Sequence, residues 1–60
     1  MEMDQEITEN EAEAYLRAVL AKARAEAANL RTADPIMGRA WALVATHTED
    51  ALRVLLLPVP

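Results

Sequence analysis

The sequence predicts an all-α fold: an antiparallel helical hairpin that dimerises into a four-helix bundle. The composition favours helix, because alanine, leucine, glutamate and arginine dominate a chain of 60 residues that contains one glycine. Valine, isoleucine and threonine are few and do not alternate with polar residues as they would in a strand. Two long segments of similar length, 8–31 and 35–57, are separated by one short break. We therefore expect residues 1–60 to form one domain in which two helices pack antiparallel.

The first predicted helix covers residues 8–31 and begins with a capping signal. Thr8 and Glu11 have the spacing of a capping box, and Ile7 occupies the position of a hydrophobic staple. Apolar residues recur every three or four positions, which predicts one buried stripe. The residues of this stripe are Ala12, Leu16, Val19, Leu20, Ala23, Ala27 and Leu30. Another side of the helix is lined with alanines, either because alanine is the best helix former in water or because another backbone approaches closely there.

The second predicted helix covers residues 35–57. Asp34 is a favourable N-cap and Pro35 fits the first helical position, where its missing N–H costs nothing. The Pro-Val-Pro tail, 58–60, stops the helix. One alternative remains, because the stretch from Thr46 to Glu49 also has the pattern of a capping box. A third helix could therefore begin at Thr46 or Thr48 and split the second one.

The apolar surface of the second helix is too wide for one neighbour. Apolar residues cover roughly 200° of its circumference, whereas a surface helix needs an apolar stripe a little over 100° wide. A chain of 60 residues without cysteine also needs oligomerisation or a similar support to be stable. A two-fold homodimer covers the excess surface most simply, and docking on a larger protein is the alternative. The predicted interface residues are Ile36, Ala40, Trp41, Leu43, His47, Val54, Leu55 and Leu57.

Charge is unevenly distributed along the chain, whose net charge is −4. Residues 1–13 hold six acids and no base, and a disordered state is one interpretation of the acidic segment 1–7. The net charge argues against nucleic acid as a partner, so that only a local basic patch could attract one. The acidic start lacks the basic residues and apolar run of a secretory signal, and no apolar run is long enough to span a membrane. We expect a cytoplasmic protein.

A charged stripe runs along one side of the first helix and consists of Glu6, Glu13, Arg17, Arg24 and Arg31. It has three interpretations. The stripe is a solvated edge with an ion pair between Glu13 and Arg17. Alternatively, it packs antiparallel on the same helix of a second chain, with Glu6 opposite Arg31 and Glu13 opposite Arg24. In the third interpretation the arginines follow a nucleic-acid backbone.

The nucleic-acid interpretation has a parallel in architecture. In hairpin design and length the predicted fold is similar to the repressor-of-primer protein, a small dimer of helical hairpins. The two share no sequence motif. The similarity implies binding of paired RNA loops, with the stripe of Arg17, Arg24 and Arg31 as the candidate surface.

The residue types offer little for catalysis or cofactor binding. The chain contains no cysteine and no serine, and one glycine cannot form a phosphate-binding loop. His47 is the single imidazole, so we expect no metal site, no cofactor and no catalytic residues. His47 is either a ligand or pH switch oriented by Asp50, or a partly buried histidine with one hydrogen bond. The sequence therefore predicts a small non-enzymatic interaction or assembly module.

Overall fold

The structure, a computed structural model, describes residues 8–60 and confirms the all-α hairpin. Helix α1 spans Glu9–Leu30 and helix α2 spans Pro35–Val54, and neither strand nor third helix occurs within residues 8–60. The two helices pack antiparallel along their lengths, with Gly38 beside Leu30 near the turn. The predicted staple residue Ile7, and the acidic segment 1–7 with Glu6, lie outside the described residues.

Helix α1 begins at the predicted capping box. The backbone N–H of Glu11 donates to the Thr8 hydroxyl at 3.2 Å, and the Thr8 N–H donates to the Glu11 carboxylate at 2.9 Å. These two bonds satisfy donors that have no partner inside the helix. The helix ends at Leu30, whose carbonyl accepts a hydrogen bond from the Asp34 N–H at 2.9 Å and so closes the turn. The predicted limits 8–31 correspond to the helix with its two cap residues.

Helix α2 begins where the sequence predicts and continues without a break. The Asp34 carboxylate accepts a hydrogen bond from the Met37 N–H at 3.2 Å, and Pro35 is the first helical residue. The hydroxyls of Thr46 and Thr48 donate to carbonyls one turn earlier, at 3.2 and 2.6 Å. Because these hydroxyls bond within the helix, they do not cap a new one. The alternative of a third helix is therefore wrong.

Helix α2 ends at Val54, three residues before the predicted limit of 57. Leu56 adopts a left-handed conformation with φ of 61°. Its N–H donates to the Arg53 carbonyl, and the Leu57 N–H donates to the Leu52 carbonyl, both at 2.9 Å. This pair of bonds is a Schellman motif, which terminates a helix and reverses the chain. The reversal returns the tail 58–60 to the hairpin, where Val59 packs against the core.

The core between the helices is small. Among residues 8–60, only two large side chains are fully buried, Leu20 and Leu52, which are 1% and 0% exposed. Ala23 and Ala45 complete the buried apolar cluster, and the buried Thr48 uses its hydroxyl in the bond to Val44. We call the α2 residues that face α1 the inner seam. They recur every three or four residues: Gly38, Trp41, Ala45, Thr48 and Leu52.

Gly38 brings the two backbones together at the turn. A Cβ atom at this position would lie 3.1 Å from the carbonyl oxygen of Leu30. A side chain here would therefore require the backbone at the end of α1 to shift by a few tenths of an ångström. The sequence shows Gly38 only as a tolerated glycine in a first helical turn, whereas the structure gives it a packing role.

Candidate interaction surface

The outer face of α2 is a continuous exposed surface on the side away from α1. It comprises Ile36, Ala40, Leu43, His47 and Val54, all of them exposed. Ile36 is 82% exposed, Leu43 55% and Val54 79%. These three bulky side chains outnumber the two large side chains that the hairpin buries completely. Exposed bulky apolar side chains on one helix face make this face the candidate interaction surface.

The exposed apolar surface extends from the outer face around one side of α2. Met37 and Val44 are partly exposed there, and Ala51 lies beside them. At 100° per residue, the centre of the whole exposed arc lies about 120° from the inner seam. The surface therefore faces obliquely away from α1.

Three of the predicted interface residues are partly covered by the hairpin itself. Trp41 belongs to the inner seam, and the Lys22 ammonium lies 5.5 Å from the centre of its ring. Leu57 packs against the core after the Schellman motif, and Leu55 is half-buried at the helix cap. The remaining five predicted residues are those of the outer face.

His47 is exposed on the outer face, and its ring takes part in no hydrogen bond within residues 8–60. The hairpin itself supplies neither the burial nor the hydrogen bond expected of a partly buried histidine, because His47 lies on the side of α2 away from α1; its burial by a second chain stays a prediction. Asp50 does not orient the imidazole, since its carboxylate accepts a hydrogen bond from Arg53 at 2.9 Å. Within the described part of the chain, no three acidic or imidazole side chains cluster as metal ligands would.

The arginine stripe of α1 is largely paired within the chain. Arg17 donates to the Glu13 carboxylate at 2.7 Å, as the solvated-edge interpretation expects. Arg24 donates across the hairpin to Glu49, also at 2.7 Å. Arg31 is exposed near the turn. Two of the three arginines therefore already have a carboxylate partner.

Sequence reasoning did not identify Glu49 as the partner of Arg24. The signal is present, because Arg24 follows Ala23 and Glu49 follows Thr48, and both of those neighbours are buried between the helices. Residues that follow two facing positions of an antiparallel pair lie along the same edge of the contact. Recognising the pair requires the register of the two helices, which only the turn and Gly38 fix.

A groove of about 670 Å³ lies beside the turn. Arg31 and Arg39 border it, and Ile36 and small residues form the rest of its lining. The lining contains no carboxylate, hydroxyl, thiol or imidazole. The groove therefore lies between Ile36, at one end of the outer face, and the guanidinium groups of Arg31 and Arg39.

Neither of the two helices in residues 8–60 has the length and apolar character needed to cross a membrane. Comparison of the chain with models of protein families, with curated proteins and with solved structures found no match. The interpretation of this surface therefore rests on the residues and on their arrangement.

Proposed function

We propose that this protein is a small non-enzymatic interaction module that assembles as a homodimer through the outer face of α2. One observation carries the proposal: Ile36, Leu43 and Val54 project their bulky side chains from one face into solvent. The hairpin buries only Leu20 and Leu52 to a comparable size. Three bulky apolar side chains are therefore available for a partner on this face, whereas two large ones are fully buried within residues 8–60.

The magnitude of this burial is comparable to the cost of association. Fully burying one bulky aliphatic side chain contributes about 1.5–3 kcal/mol. Scaled by their exposed fractions, the three side chains on each of two chains supply about 6–13 kcal/mol. Association costs about 4–15 kcal/mol in lost translational and rotational freedom. The two quantities are of similar size, so the partly exposed Met37 and Val44 add a margin that favours the dimer.

A second copy of the chain is the partner that the surface suits best. An apolar face is complementary to itself, and two-fold pairing closes the assembly without leaving a further apolar face. The short chain also gains the stability that its small core does not supply. Docking on a larger protein would use the same outer face, and a monomeric isolated chain is its expected signature.

Nucleic-acid binding receives less support from the described residues. Phosphate groups would have to displace Glu13 from Arg17 and Glu49 from Arg24. Few free cations then remain on α1, and the salt-dependent attraction to phosphates grows with their number. Pairing of α1 with α1 of a second chain would break the same two ion pairs. The outer face of α2 requires neither change.

The proposal is tested by Leu43→Glu, with Ala25→Glu as the matched control. Leu43 is exposed in the hairpin, so the variant keeps its helix content while placing a carboxylate at the centre of the proposed interface. Each dimer loses two buried leucines, so we expect dimerisation to weaken by roughly a hundredfold or more. Ala25→Glu adds the same charge to the alanine side of α1 and should leave the dimer intact.

The measurement is multi-angle light scattering of both variants and the unmodified chain at equal concentrations. Loss of the dimer in Leu43→Glu alone supports the outer face as the contact. Loss in neither variant, while the unmodified chain is a dimer, would place the contact elsewhere. A monomeric unmodified chain would reject homodimerisation and favour a larger partner.

A further inference from the structure

We infer that two copies of α2 pack antiparallel, with the two-fold axis crossing the outer face at the level of Ala45. The inference rests on the proposed homodimer and specifies its register. The outer face has bulky apolar residues at both ends, and Ile36 and Val54 are equally distant from Ala45. Leu43 and His47 are likewise equally distant from it on either side. Reversing the direction of the helix therefore brings the position of Ile36 onto that of Val54, and the position of Leu43 onto that of His47.

Antiparallel packing about this axis brings each residue of the exposed arc against a different residue of the partner's arc. Ile36 lies against the partner subunit's Val54, and Leu43 lies against the partner subunit's His47. Ala40 lies within one residue of the level of the partner subunit's Ala51, and these small side chains allow the helix axes to approach closely. The bulky pairs and the small pair alternate along the contact, so that the two surfaces interdigitate.

Charges at the edge of the outer face distinguish antiparallel from parallel packing. Arg39 and Asp50 lie on the same edge of α2, and no ion pair among residues 8–60 involves Arg39. The antiparallel register places Arg39 within one residue of the level of the partner subunit's Asp50, twice by symmetry. Each Asp50 then lies between its own Arg53, at 2.9 Å, and a second guanidinium.

Parallel two-fold packing would instead put the charged edges of the two helices on opposite sides of the contact. Arg39 would then lie far from the partner subunit's Asp50, and this favourable pairing would be lost. The complementarity of Arg39 and Asp50 therefore sets the orientation, while the apolar side chains supply the affinity. Because the exposed arc faces obliquely away from α1, a second hairpin packed on it forms a second layer. Two such layers of two helices make a four-helix bundle.

The register is tested by disulfide trapping, because the chain contains no cysteine. Two single variants are made, Ala40→Cys and Ala51→Cys, and one of them is labelled with ¹⁵N. Both positions lie on the exposed arc and change only from alanine to cysteine. The chains are mixed and equilibrated in a glutathione redox buffer, and the covalent dimers are counted by mass spectrometry.

Antiparallel packing predicts that the mixed disulfide between the two variants exceeds either homodisulfide at least tenfold. Along the helix, two copies of residue 40 would be separated by about 15 Å at 1.5 Å per residue, which is too far for a disulfide. As a control, Ala25→Cys, on α1, replaces Ala51→Cys in the mixture and should yield no excess of mixed dimer.

Each other outcome overturns the register. A predominance of Ala40→Cys homodisulfide indicates parallel packing, and a statistical mixture of the three products indicates no fixed register. Light scattering of the unmodified chain separates these results from failure of the proposed function. A dimer with the wrong disulfides rejects the register alone, whereas a monomer rejects both proposals.

Discussion

The inner seam and the outer face of α2 use the same helix in opposite ways. The inner seam contains Gly38, Ala45 and Thr48, and its one fully buried large residue is Leu52. The outer face exposes Ile36, Leu43 and Val54. A surface helix of a monomeric protein normally buries its large apolar residues and exposes its small or polar residues. The small residues of the inner seam allow α1 and α2 to approach closely, and the exposed bulky residues are the ones that we propose for a second contact.

This comparison separates two kinds of variant. Changes in the inner seam should weaken the hairpin itself, whereas changes on the outer face should weaken association. Stability of an assembly rises with concentration by mass action, so the two effects are distinguishable in solution. The Leu43→Glu and disulfide experiments address the outer face, and the following variants address the inner seam and its borders.

Leu52→Ala should have the largest effect on stability. Leu52 is fully buried between the helices, so the variant leaves a cavity in a core that holds one other large residue. We expect a loss of about 2–5 kcal/mol in the free energy of unfolding per chain. Urea unfolding followed by circular dichroism measures it at a fixed protein concentration.

The matched control is Leu56→Ala, which makes the same chemical change at a residue that is 90% exposed. This control should change the unfolding free energy by less than about 0.5 kcal/mol. Equal losses for the two leucines would mean that the inner seam is not the core of the hairpin.

Leu56→Gly should stabilise the protein by an intermediate amount. Leu56 holds the left-handed position of the Schellman motif, where a side chain is unfavourable and glycine is the preferred residue. We expect a gain of about 0.5–1 kcal/mol after the entropy that glycine adds to the unfolded chain is subtracted. Thermal unfolding detects the gain, and Leu56→Ala again serves as the control because alanine keeps the Cβ. A glycine variant less stable than the alanine variant would contradict the left-handed cap.

The ion pair between Arg24 and Glu49 should have the smallest effect. The pair is exposed at the edge of the inner seam, so its coupling energy should be about 0.2–1 kcal/mol. Arg24→Glu places two carboxylates together and lowers stability, and the added change Glu49→Arg should restore it. A double-mutant cycle measured by urea unfolding isolates this coupling.

The same cycle distinguishes pairing within the hairpin from pairing of two α1 helices. Combining Arg24→Glu with Glu13→Arg should give no rescue, because Glu13 already binds Arg17 in the same chain. Rescue by Glu13→Arg but not by Glu49→Arg would show that Arg24 pairs with a second copy of α1.

Local signals in the sequence were sufficient for most of the fold. The capping box at Thr8, the Asp34-Pro35 start and the apolar periodicity depend on near neighbours along the chain, so they are readable without the structure. The end of α2 was not readable in this way. A Schellman motif normally shows a glycine, but here Leu56 occupies that position and gives no compositional signal.

The position of the exposed apolar surface of α2 was predictable only in part, for a similar reason. Periodicity shows that α2 has more apolar surface than one neighbour covers, but it does not show which side α1 takes. That choice depends on Gly38, whose missing side chain admits the backbone of Leu30. Once α1 occupies the inner seam, Trp41 is partly covered and Ile36, Leu43 and Val54 remain exposed.

The solution mass of the unmodified chain tests the central proposal most directly. Sedimentation equilibrium over a hundredfold range of concentration should approach twice the chain mass of 6.6 kDa at the upper end. The midpoint of thermal unfolding should rise over the same range. A mass of 6.6 kDa throughout, with an unfolding midpoint independent of concentration, would contradict the homodimer.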